Sequence, residues 1–342
     1  MKICYMADGF NSFRRGAKAY VDLIRSHPSL RDRHRLVRNA YTADVVIIQF
    51  IPSQLPGIYK AFPFLKTKYV IGRCVWETDD LPESYKSGIA HLQEIWTPSR
   101  YCQAIFDRYH PRVVYMPHVI DRDRECCDDD LVDVKRAIDH TTENTYYLSI
   151  LKLWDPRKNA IALIDAFQRQ SRHMPKARLV IKAAHDDKPL AVSDPRVIVL
   201  RRDMTAAQVN ALYECCDICV SAHHSEGWGW TLSDALLFRK PTVATGYSGN
   251  LEFMNARNSV LLDYVEDYIR PEDVLGDHFT TKMKWAYPIQ ADLEDKLLAL
   301  YRSGKELGAG ATLEPPDLDR FRSAHMGHVV RNRLDEVERL RG

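Results

Sequence analysis

The sequence has no run of about 18 apolar residues, which excludes a membrane-spanning helix. It has no internal repeat and no low-complexity tract, so a repeat architecture is not expected. Its charges nearly cancel, with 48 Lys and Arg against 46 Asp and Glu, for a net +2. That balance gives no bulk attraction for polyanions, and nucleic acid is not an expected partner. Gly-x-Gly-x-x-Gly is missing, so the dinucleotide fingerprint is not present. Eight cysteines occur, but a second Cys pair at zinc spacing does not. Cys216-x2-Cys219, followed by His223 and His224, comes nearest, and Cys219 falls inside an expected strand. A metal is therefore not expected. Most of the cysteines stand in apolar runs, like small buried side chains. The start, Met1-Lys-Ile-Cys-Tyr-Met-Ala-Asp-Gly, turns polar too quickly for a signal peptide. A cytoplasmic protein with reduced thiols is expected.

What is present is an alternation of short apolar runs and helical patterns. At 342 residues, 45% hydrophobic and 27% charged, the chain is long enough for about two globular domains. Strands are expected at 3–6, 43–50, 69–75, 95–97 and 113–116. Helices are expected at 17–24, 83–93 and 99–109, the last capped by Ser99. Further strands fall at 146–151, 177–182, 197–200, 217–222, 242–245 and 260–263. Their helices fall at 160–170, 206–215 and 230–238. Such alternation points to doubly wound parallel sheets. Residues 121–143 are charge-dense and are expected to be a hinge between domain 1–120 and domain 144–315. Residues 264–289 are expected to be irregular. The tail 316–342 is expected to be mostly helical.

Residues 217–250 dominate the functional reading. Gly227 and Gly229 permit a bend after a buried strand, and a helix then starts at Trp230. A helix N-terminus carries unpaired N–H groups and suits a phosphate. Glu226 precedes the turn, and Asp234 follows eight residues later, about two helical turns on. A carboxylate beside an anion site is costly unless it binds something else, such as sugar hydroxyls. Lys152 and Lys158 bracket the exit of another strand just before a helix, where cations suit a diphosphate. Arg157 adjoins them.

The segment Glu226-Gly-Trp-Gly-Trp-Thr-Leu-Ser-Asp-Ala-Leu-Leu-Phe-Arg-Lys-Pro-Thr-Val-Ala-Thr245 closely resembles the signature of retaining GT-B glycosyltransferases of family 4, the glycosyl transferases group 1. Asp234 stands where the family usually has a second Glu, and Lys152 where it has an Arg, which keeps charge but loses bidentate geometry. Tyr247-Ser-Gly-Asn-Leu-Glu-Phe253 and Met116-Pro-His-Val-Ile-Asp121 are similar to two further family segments. The resemblance implies two Rossmann-like domains facing a central cleft, with the last helix crossing back to the first domain. It implies a donor site from Gly16, Arg15, Lys152, Lys158, Arg202, Met204, Glu226, Gly227, Trp228, Gly229, Trp230, Thr231 and Asp234. Glu226 would orient the donor sugar, Lys152 and Lys158 would stabilise the leaving diphosphate, and Asp234 would hold ribose. Arg14, Arg15 and Gly16 are matched weakly, and a solvated Arg pair is an equal reading. Trp76, Glu77 and His118 would line an acceptor or sugar pocket, although Trp76 also suits core packing and Glu77 a helix cap.

The implied reaction is metal-independent, retaining transfer of a hexose from a nucleoside-diphosphate sugar to a hydroxyl of a glycan, lipid or glycoprotein. Trp76-Glu77…Leu81-Pro82 looks most like mannosyl-type enzymes, which favours GDP-mannose as donor with UDP-glucose second. Peripheral membrane contact and a homodimer are compatible with the sequence. An epimerase or phosphorylase of the same fold, or a non-catalytic nucleotide-sugar-binding protein, are the alternatives.

Overall fold

A computed structural model describes residues 1–9, 11–121, 123–187, 192–304 and 313–341. The chain divides into two compact units, residues 1–121 with 317–342, and residues 122–316.

The first unit opens with β1 (Lys2–Ala7), α1 (Asn11–Ser26), α2 (Pro28–Arg31), β2 (Arg35–Leu36), β3 (Val45–Gln49), α3 (Leu55–Ala61) and β4 (Tyr69–Arg73). It continues with α4 (Glu83–Ile89), β5 (Glu94–Thr97), α5 (Arg100–Phe106) and β6 (Val113–Tyr115). The strands form one parallel sheet in the order β2-β1-β3-β4-β5-β6. Val45–Gln49 is buried throughout, as a central strand covered on both faces must be. Ser99 caps α5, its hydroxyl accepting the Cys102 N–H at 3.1 Å.

Helix α1 begins at Asn11, six residues before the expected start. No helix breaker lies in 12–15, and buried Ala17, Tyr20, Leu23 and Ile24 form one stripe. Residues 11–16 are therefore helical, and Arg14, Arg15 and Gly16 belong to α1. The last helix, Ser323–Arg341, packs on this unit. Its Met326, Val330, Leu334 and Val337 are fully buried with Ile3, Tyr20, Ile47 and Trp96. Each such side chain contributes about 1.5–3 kcal/mol. The helix thus crosses back to the first unit, as expected.

The second unit contains α6 (Asp128–Ala137), β7 (Thr145–Ile150), α7 (Ala160–Gln170), β8 (Ala177–Ala183), β9 (Val197–Arg201), α8 (Ala206–Cys215) and β10 (Ile218–Ser221). It ends with α9 (Trp230–Leu237), β11 (Thr242–Thr245), β12 (Val260–Leu262), β13 (Tyr264–Tyr268), β14 (Lys284–Pro288) and α10 (Gln290–Arg302). The last helix of the chain is α11. The main sheet is parallel, in the order β12-β11-β10-β7-β8-β9. Within the stretch expected as a hinge, α6 packs as part of this unit. Its Val134 and the following Ile138 are fully buried with Ala211, Leu212 and Tyr146.

Residues 264–289, expected to be irregular, contain the antiparallel pair β13–β14. Every residue of β13 is exposed, so the strand has no buried face to give a hydrophobic run. Trp285 and Ala286 of β14 are fully buried. All eight cysteines are free. Among the described residues no helix is long and apolar enough to cross a membrane, and no group of three or more His, Cys, Asp or Glu is arranged to hold a metal.

Candidate active site

In the second unit, the exit of β10 leads through residues 222–229 into α9. Every residue of that loop is buried. Gly229 turns the chain with φ +90°, a conformation that L side chains rarely adopt. No side chain caps α9; the Leu232 and Ser233 N–H groups both donate to the Gly229 carbonyl at 3.0 Å.

A second loop, 246–250, crosses this one at close range. A Cβ on Gly249 would stand 2.2 Å from the Gly227 carbonyl oxygen and 2.7 Å from that of Glu226. Only glycine permits that approach. Beside it Ser248 has φ +77° and ψ −151°, a backbone conformation that costs of order 1–3 kcal/mol. The strained residue is held by contacts with the first loop: Ser248 Oγ accepts the Glu226 N–H at 2.8 Å. The Gly249 N–H donates to the Glu226 carbonyl at 2.8 Å.

Glu226 is 8% exposed and ionised. Burial pushes its carboxyl up, but Lys158 and Arg157, followed by His223, overcome that and hold it at about 2. Lys158 Nζ donates directly to Oε1, and Arg157 Nη1 lies 3.1 Å from Oε2. Arg157 is fixed in turn by Asp155 at 3.0 Å and by the Ser225 carbonyl at 2.7 Å. The short turn Pro156–Lys158, with Asn159 at φ +51°, places both cations. Asn159 Nδ2 donates to the Ala222 carbonyl at 3.0 Å, tying that turn to the β10 loop.

Two buried histidines complete the loop. His223 faces Ser221 Oγ at 3.0 Å through Nδ1 and Asn250 Oδ1 at 3.2 Å through Nε2. His224 Nδ1 donates to the Ala286 carbonyl at 2.8 Å, and its ring stacks on Trp285 at 4.8 Å. Burial holds both at about 4, so both are neutral at pH 7. Unfolded histidine titrates near 6.5. Below that pH the unfolded chain gains protons that the folded loop refuses. Stability is therefore full above pH 6.5 and falls toward pH 4, by about 1.4 kcal/mol per pH unit for each histidine. Glu226 adds a loss of the same sign, beginning below its unfolded value of 4.5 and continuing toward about 2. Urea unfolding at pH 7 and pH 5 measures this, and His223→Gln should flatten the slope. Equal unfolding free energies at the two pH values would contradict the buried neutral state.

The remaining expected residues fall in several places. Lys152 leaves β7 with its Nζ 5.1 Å from the half-exposed Trp154 ring. Trp228 is buried against Phe253, 5.0 Å between ring centroids. Trp230 and Thr231 form the first turn of α9, where the Thr231 carbonyl accepts the Tyr213 hydroxyl at 3.0 Å. Asp234 is buried on the same helix, within electrostatic reach of the Cys219 thiol. Arg202 is engaged by Asp133 of α6 at 2.8 Å, and Met204 packs on the α6–α8 core.

In the first unit, Trp76 is fully buried, and its indole N–H donates to Thr78 Oγ1 at 2.7 Å. The core-packing reading holds for it. The Glu77 carbonyl accepts the Tyr101 hydroxyl at 3.2 Å. His118 is buried with Nδ1 3.1 Å from Arg73 Nη2. Gly16 lies against it, since a Cβ there would be 3.3 Å from His118 Cε1. Arg15 is near enough to depress the His118 pKa. Sequence reasoning left Arg157 a secondary place, gave no role to Asp155, and reached Ser248 and Asn250 only as members of the 247–253 segment. Adjacency to Lys158 was the one signal for Arg157.

Two parallel six-stranded sheets, the second with an ionised glutamate beside an uncapped helix start, make a GT-B fold. Residues 145–270, all within the second unit, match the family model Glycosyl transferases group 1. The trehalose synthase of Thermococcus litoralis is 25% identical, covering 80% of this chain and 74% of that protein. The trehalose synthase of Rubrobacter xylanophilus is 24% identical over 36% of this chain and 33% of that protein. Among solved structures, Anabaena HepE in complex with UDP and glucose aligns with a TM-score of 0.67 at 13% identity, over 98% of this chain and 100% of that one. The pneumococcal O-GlcNAc transferase GtfA in complex with UDP and GlcNAc aligns with a TM-score of 0.55 at 13% identity, over 86% of this chain and 56% of that one.

Proposed function

We propose that the protein transfers a hexose from a nucleoside-diphosphate sugar to an acceptor hydroxyl, with retention of configuration and without a required metal. The observation that carries this reading is Glu226, ionised and clamped by Lys158 and Arg157 one turn before α9. Held at about 2, it is no proton donor at neutral pH. It accepts hydrogen bonds, and hydroxyls of a donor sugar suit it. The leaving diphosphate carries growing negative charge, which fixed cations and helix N–H groups stabilise. Lys158, Lys152 and the start of α9 take that role, and Asp234 takes the ribose hydroxyls. The acceptor is a glycan, lipid or glycoprotein.

For the donor, UDP-glucose now stands ahead of GDP-mannose. The mannosyl-type reading leaned on Trp76-Glu77…Leu81-Pro82, of which Trp76, Leu81 and Pro82 are buried and Glu77 is half-buried. HepE is described with UDP and glucose, and GtfA with UDP and GlcNAc.

A radiolabelled transfer assay with UDP-glucose and GDP-mannose tests the reading. Label should appear in an added sugar acceptor, with EDTA present. Epimerised donor without acceptor, product only with free phosphate, or binding without turnover would each replace transfer by one of its rivals. Loss of activity in EDTA would remove the metal-free part.

A further inference from the structure

The first unit holds a buried cation that the reading above leaves unused. Arg73 ends β4 and is 2% exposed. Its guanidinium lies over the Tyr20 ring, 3.8 Å from the centroid, and Nη2 meets His118 Nδ1. Nε and Nη1 are buried and have no hydrogen-bond partner among the described residues. No carboxylate pairs with it among those residues either. An unpaired buried charge is costly, and proteins keep one where a ligand supplies the counter-charge.

The neighbours add donors, with one carboxylate beside Gln49: Asp8 donates its N–H to the Gln49 carbonyl at 3.0 Å, and its buried Oδ2 has no hydrogen-bond partner among the described residues. Burial, then Arg73, then Arg15 keep His118 well below its usual pKa, so it is neutral and Nδ1 accepts from Arg73. Gln49 ends the adjacent strand β3, and its Oε1 is taken by the Tyr5 hydroxyl at 2.6 Å. That leaves its Nε2 facing Gly16, 3.0 Å from where a Cβ would stand. Arg73 and Gln49 thus close two adjacent parallel strands at their carboxyl ends, where ligands of such sheets bind. A guanidinium with two unpartnered nitrogens, Nε and Nη1, is shaped for an oxyanion.

We infer that Arg73, with the Gln49 amide beside it, forms an oxyanion site in the first unit that takes a phosphate or carboxylate carried by the acceptor. The inference rests on the proposed transfer only in giving that oxyanion to the acceptor. Calorimetric titration of the full chain with inorganic phosphate, and separately with UDP, tests it. Phosphate should bind the wild type, and Arg73→Gln should weaken it by roughly tenfold to a hundredfold, the range for charge-assisted hydrogen bonds. Glucose 6-phosphate and glucuronate should displace phosphate, and glucose should not. UDP affinity should be unchanged in Arg73→Gln. Arg73→Met should keep or raise Tm, since it removes an unpaired buried charge; a packing role alone would lower Tm. Equal phosphate affinity in wild type and variant, or a lowered Tm in Arg73→Met, would overturn the site. Loss of UDP affinity in Arg73→Gln would overturn its assignment to the acceptor. If wild type binds phosphate but not UDP, the transfer reading fails and the oxyanion site stands.

Discussion

Glu226→Gln is expected to lower sugar transfer by roughly a hundredfold to a thousandfold, the range seen when one preorganised polar group is removed from an active site. The amide keeps the shape and one acceptor oxygen, so Ser248 Oγ and the Gly249 N–H retain their backbone partners at residue 226. What disappears is the negative charge between Lys158 and Arg157. The two cations then face a neutral group, and the donor sugar loses its charged acceptor. Arg157 stays anchored by Asp155 and the Ser225 carbonyl, so the unit should still fold. Turnover within about twofold of wild type, well under the 1.4 kcal/mol that makes a tenfold change, would take Glu226 out of the mechanism.

The second large effect concerns stability. Glu94 in β5 is fully buried and receives Arg333 of α11 through Nε at 2.8 Å and through Nη2. Tyr69 donates its hydroxyl to the same carboxylate at 2.9 Å, and the Trp96 indole N–H donates too. Arg333→Ala leaves that carboxylate without its counter-charge. Breaking one partner of a buried pair costs about 3–5 kcal/mol. The loss falls on the first unit, because α11 is part of its core. Replacing both partners, as Glu94→Gln with Arg333→Met, should recover much of that loss, since the expensive state is the lone charge. Urea unfolding of the single and double variants measures it. A single-variant loss below about 1 kcal/mol, the size of an exposed pair, would mean that Glu94 is not buried as described.

Much of the architecture is legible in the residue pattern, because parallel strands covered on both faces must be apolar along their length. Val45–Gln49 and Ile218–Ser221 are such runs, and α7, α8 and β11 fall at their expected bounds. The parts that escape are those whose stability comes from elsewhere. β13 exposes all five residues and exists through its pairing with β14. The early start of α1 turns on the absence of any breaker before Gly16, a weak local signal. At the site, Glu226, Gly229 and Lys158 stand out because a turn or a charge at a strand exit is unusual. Arg157 does not stand out, since its role depends on Ser225 and Glu226, 68 and 69 positions away, folding back onto it. Ser248 is hidden for the same reason. Its positive φ stands where two loops meet, and the Glu226 N–H that reaches its hydroxyl lies 22 positions away.

The account turns on where a nucleotide's diphosphate comes to rest. A crystal soaked with UDP reports that directly. The phosphates should lie at the start of α9, on the N–H groups of Trp230 and Thr231, with Lys158 or Lys152 on their oxygens. Diphosphate found elsewhere in the second unit, or UDP absent from α9 at saturating concentration, would contradict it.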